Sequence, residues 1–198
     1  MASKTQTFSR WYEDTFKDVD FSEELTSTNQ ICLFQNLTLS DDCGASGIHL
    51  IDLSVLEARL KIKKEYIRVF LSNPDSKLFA FNSSNNVIWL KKYFVDRTKI
   101  LGLPHTFIGS IVNEYRATKN CSEFWKGWFL QNSVTLNEIY LKHFFSCFEE
   151  KKLADPLKKT KSEEKTERYE KECRDAINTL YSIRQSLFGE KFGDQIKF

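Results

Sequence analysis

The chain has 198 residues, of which 41% are hydrophobic and 28% charged, with a formal net charge of +2. That is an ordinary globular balance for one large domain or two small ones, and no window approaches the roughly 18 apolar residues of a membrane span. Seven glycines and three prolines are few, which disfavours a loop-rich or all-β chain, and the 17 Phe, 7 Tyr and 4 Trp supply a packed core.

The charge is unevenly spread. Residues 1–51 carry three basic and eight acidic side chains, net −5, residues 52–100 carry ten and five, net +5, and residues 101–198 carry sixteen and fourteen, net +2. A local positive face is what a polyanion senses, so the middle third matters more than the total. A solvated lysine face is the bland account of the same numbers. The five cysteines are odd in number and contain no CxxC, and the first residues show no apolar run of signal-peptide length. Free thiols and a nuclear or cytoplasmic location are expected.

In chain order, residues 1–22 read as an acidic arm or short helix with scattered aromatics. From Glu23 to about Leu37, the residues Leu25, Ile31, Phe34 and Leu37 fit one loosely amphipathic helix. A loop over 40–47 leads to a short extended segment, Gly47–Asp52. Ser54 and Glu57 have capping-box spacing at the start of a helix that presents Val55, Leu56 and Leu60 and ends by Lys61. A second helix begins near Lys63, presents Tyr66, Ile67, Phe70 and Leu71, and is stopped by Asn73-Pro74. Lys77–Phe81 and Val87–Phe94 flank the polar loop 82–86 and predict a hairpin.

Beyond it the pattern turns helical. Asp96–Leu101 reads as a helical turn. Pro104–Arg116 reads as a helix with Phe107, Ile108, Ile111, Val112 and Tyr115 inward. Ser122 can cap a helix carrying Phe124, Trp125, Trp128, Phe129 and Leu130, and Thr135 with Glu138 suggests a capping box for a helix over about 136–152. Residues 149–168 are highly charged. In the last helix Tyr169, Cys173, Ala176, Leu180, Ile183 and Leu187 form a stripe with coiled-coil spacing, and Gly189 stands where a C-terminal cap belongs. The stripe is a partner-binding surface by this reading: it docks back onto its own chain or forms a homodimer.

Leu56 and Leu60 on one helix, Ile62 in the turn, Ile67, Phe70 and Leu71 on the next, and the hairpin Leu78–Leu90 together resemble the winged helix-turn-helix superfamily over residues 23–94. That unit, with the helical patterns that follow it, gives a mostly helical α+β protein. Its parts are an arm over 1–22, the winged-helix-like domain over 23–94, an all-helical subdomain over 95–153, and a charged linker with the C-terminal helix over 154–198. In DNA-binding members the exposed face of the third helix enters the major groove and the hairpin touches backbone or minor groove. Here that would employ Lys61, Lys63, Lys64 and Arg68, with Lys77, Lys91 and Lys92 at the hairpin ends, each neutralising a phosphate of DNA or RNA. Other winged helices dock proteins, so an adaptor without nucleic-acid contact is the alternative.

Nothing points to catalysis. There is no phosphate-binding glycine loop, GxSxG or HExxH. His143 and Cys147 share a helical spacing, but no second ligand pair accompanies them, so neither metal nor cofactor is expected.

Overall fold

A computed structural model of the chain describes residues 19–39, 43–94, 106–138 and 161–189. The expectations for residues 1–18, for Asp96–Leu101, for the helix beyond Glu138, and for His143 with Cys147 fall outside them. The described part is mostly helical, with one small antiparallel sheet.

The acidic entry segment forms a short helix, α1 (Val19–Glu24), followed by α2 (Thr28–Leu39). The single helix expected from Glu23 is therefore broken at 25–27, for a local reason. The Ser27 hydroxyl accepts from the Gln30 N–H at 3.3 Å, and the Gln30 side-chain oxygen accepts from the Ser27 N–H at 3.0 Å. This reciprocal box satisfies donors that a helix start leaves orphaned. Phe21 and Leu25 bury beside Phe34, and the rings of Phe21 and Phe34 meet edge to face at 5.3 Å.

Strand β1 (Ile48–Leu50) leads into α3 (Leu53–Leu60) and α4 (Lys64–Leu71). The predicted Ser54 cap is displaced: Asp52 caps α3, its carboxylate accepting from the N–H groups of Ser54 at 2.8 Å and Val55 at 3.3 Å. Glu57 serves the following helix instead, its carboxylate accepting from the Lys64 N–H at 3.1 Å. Between them Lys61 adopts the left-handed conformation, φ 60°, and ends α3. Residues 54–71 are thus two rods joined by a tight turn. Leu56, Ile62, Ile67 and Leu71 bury, and Phe70 is half-buried. Val55 and Tyr66, expected inward, are exposed.

Strands β2 (Phe79–Asn82) and β3 (Val87–Leu90) make the hairpin, and the sheet order is β1-β3-β2, all antiparallel. The Asn82 carboxamide oxygen accepts from the N–H groups of Ser84 and Asn85, both at 3.1 Å, and Asn86 takes φ 51° to close the turn. Successive residues of a strand face opposite ways, and β3 is buried on both faces. Ile88 and Leu90 join Leu33, Leu37, Leu53 and Phe79 in one core. Val87 and Trp89 join Ile111, Trp125, Trp128 and Ile183 in another.

The second core belongs to α5 (Thr106–Thr118), α6 (Ser122–Gln131) and α7 (Lys161–Phe188). Ile108, Ile111 and Val112 bury as the spacing predicts, and on α6 Trp125, Trp128 and Phe129 are buried while Leu130 is exposed. The backbone is already helical over 133–138, so Thr135 lies within a helix rather than at its cap. Gly127 lets the Trp89 ring lie against α6: a Cβ there would stand 2.8 Å from the indole. Glu114 on α5 clasps the strand entry, accepting from the N–H groups of Ala45 at 2.6 Å and Ser46 at 2.8 Å, and from the hydroxyls of Ser46 and Ser110. The Trp128 indole donates to the Ser46 carbonyl at 3.0 Å. Helix α7 begins at Lys161, within the charged stretch, and packs on α5 and α6. Gly189, φ 79°, ends it by donating to the Gln185 carbonyl.

Candidate functional site

The outer face of α4 is set by the phase of its inner one. Ile67 and Leu71, one turn apart, are buried and Phe70 packs beside them, so the outer face falls to the remaining residues. Glu65, Tyr66, Arg68 and Val69 are exposed, Val69 by 75% and Tyr66 by 40%. Among the described elements α4 packs chiefly on α3 and β2.

Four of the seven cations singled out from the sequence gather at the start of α4. Lys61 and Lys63 are exposed in the turn, and Arg68 is exposed one turn into the helix. Lys64 is half-buried and its ammonium donates to the Ser54 hydroxyl at 3.0 Å. Arg59, in the last turn of α3, is exposed as well, a cation outside the seven expected from the sequence. Its signal was its place two residues before Lys61 in the basic segment. Among the described residues Arg59, Lys61, Lys63 and Arg68 make no ion pair.

The three hairpin cations go elsewhere. Lys77 pairs with Asp20 at 2.9 Å and approaches Glu23 at 3.6 Å, and Lys92 pairs with Asp20 at 2.6 Å. Lys91 donates to the Ser76 carbonyl at 2.5 Å. Glu24 completes the contact by accepting from the Ser76 hydroxyl at 2.6 Å and from the Lys77 N–H. The hydrogen bonds from Lys92 and Lys77 hold the Asp20 carboxyl below its usual range, and the bond to Asp20 raises Lys77 above its own. These pairs are partly solvent-exposed, so they fix geometry and cancel charge more than they stabilise.

Along the C-terminal stripe, Leu180 and Ile183 bury in the second core, and Ala176 and Leu187 pack at its edge. The side chains of Tyr169 and Cys173 lie outside the described residues. No described helix is long and apolar enough to cross a membrane, and among the described residues no group of three or more His, Cys, Asp or Glu could hold a metal ion. Cys121 is buried, which pushes its thiol up against the lowering effect of the Asn85 amide.

No protein-family model matches the chain, and no curated protein or solved structure is significantly similar to it.

Proposed function

We propose that residues 23–94 form a winged helix-turn-helix unit and that the protein binds nucleic acid, duplex DNA foremost, through the turn before α4 and the outer face of α4. The first part is supported by the element order from α2 to β3 and by the pairing of the strand before α3 with the second strand of the hairpin. The second part is carried by one observation: Arg59, Lys61, Lys63 and Arg68, on the α3–α4 joint and α4, are each exposed and without acid partners among the described residues. A helix with its side chains is about 10–12 Å across, and the major groove of B-DNA is about 12 Å wide, whereas that of A-form RNA is too narrow to admit side chains. The wing contributes little charge, because Lys77 and Lys92 are engaged by Asp20.

A second reading rests on Val69 and Tyr66. Apolar surface on that face suits an adaptor that docks a protein. Fluorescence anisotropy with a labelled DNA duplex, titrated across salt concentrations, tests the first reading. The wild type binds, with affinity falling as salt rises; the fold-preserving variant K63E/K64E/R68E binds more weakly and with a flatter salt dependence. A wild type that leaves the duplex free at low ionic strength, or a triple variant that binds as before, overturns it and leaves the adaptor.

A further inference from the structure

We propose that α1 is a built-in polyanion mimic that occupies the cations of the hairpin and confines nucleic acid to the start of α4. This rests on the nucleic-acid reading above and adds a regulatory device to it. A phosphate chain crossing a winged helix meets cations at both the reading helix and the hairpin. Here two of the hairpin cations are already held by one carboxylate, that of Asp20, 57 and 72 residues earlier in the chain. Asp20 bridges them, one oxygen to Lys77 at 2.9 Å and the other to Lys92 at 2.6 Å, as a phosphate would. Glu23 stands 3.6 Å from Lys77, and Glu24 fixes the backbone at 76–77.

The arrangement is anchored, because Phe21, next to Asp20, and Leu25, next to Glu24, are buried in the first core. It is also open to exchange. The side chains of Lys77 and Lys92 remain 59% and 39% exposed, so an incoming polyanion competes with Asp20 at the surface. Such competition is decided by ionic strength and by the charge on α1. Removing that charge withdraws the Asp20 carboxylate from both lysines.

The test compares wild type, D20N, K77Q/K92Q and the combined D20N/K77Q/K92Q protein, each checked by circular dichroism, for binding to the same duplex across salt. D20N binds several-fold more tightly, and its log–log salt slope steepens by up to about 1.8, two phosphates at about 0.9 each. The gain disappears when D20N is combined with K77Q/K92Q, which ties it to those two lysines rather than to net charge. D20N binding like wild type, while K63E/K64E/R68E still weakens binding, overturns the mimic and leaves the nucleic-acid reading standing. A gain that survives in the combined variant also overturns it. Absence of binding by wild type and D20N alike overturns both.

Discussion

Glu114 shows how one side chain can carry a junction. Its carboxylate accepts from two backbone N–H groups and two hydroxyls, and three of those four donors lie in the segment that enters β1. A hydrogen bond to a charged acceptor contributes about 1.5–3 kcal/mol, and a buried donor left without a partner costs on the same scale. Glu114→Ala therefore lowers stability by about 2–4 kcal/mol, with Glu114→Gln between it and wild type, as read by urea denaturation. Wild-type stability in the alanine variant would mean that water replaces the carboxylate. Asp20 supplies the pH dependence at this scale. Its folded pKa is depressed, so its contribution is present above the unfolded value and is lost as pH falls through the folded one. Lys77 is raised, so its share holds below its unfolded value and is lost as pH rises through the folded one. The pair is intact across the neutral range, and D20N removes part of the acid-side loss of stability in a pH series of melts; an unchanged acid limb would show the pairing to be energetically silent.

Among the elements, the α3–α4 joint is where local chemistry is most exposed to test. Lys61 sits at φ 60°, where an L-residue costs about 1–2 kcal/mol and glycine costs far less. Lys61→Gly is expected to raise stability by up to about 1 kcal/mol in denaturant melts, glycine's looser unfolded chain offsetting part of the gain, while removing one cation from the proposed site. A lower stability would mean that the lysine stem packs in the turn. The two rods were legible because apolar residues at 56, 60, 67 and 71 recur at helical spacing and Asn73-Pro74 punctuates the end. Their inner phase was drawn too wide: Tyr66 and Val55 are the right chemistry on the wrong side, and only the partners of Ile67 and Leu71 decide the width of a buried stripe. The break between α1 and α2 had a readable signature, Ser27 and Gln30 three apart, which the apolar pattern running across it obscured. The cations at the start of α4 were legible as a local run. The capture of Lys77 and Lys92 was not, because the acid that holds them lies 57 and 72 residues away and no local rule links the two.

At the scale of the molecule, the boundary expected at residue 94 from the order of elements does not separate two independent cores. It falls beside a strand that both cores use: Ile88 and Leu90 face one, Val87 and Trp89 the other. The clue was a run of four apolar residues, Val87–Leu90, which reads as a strand buried on both faces, where a hairpin with one wet side alternates. Gly127, Trp128 and Glu114 then close α5 and α6 onto that strand and its entry, and Leu180 with Ile183 of α7 seals the far side. A chain cut after Phe94 would bare Ile48, Val87, Trp89 and Phe94 to water, an apolar face that soluble monomers do not tolerate. Such a fragment is expected to aggregate or remain unfolded, although it contains every element of the proposed binding unit. The intact chain should unfold in one step, with tryptophan fluorescence and far-ultraviolet circular dichroism tracing the same denaturant curve, since losing either core exposes β3 to the other's loss. Two separated transitions, or a soluble folded fragment ending at Phe94, would show that the sheet does not couple the halves.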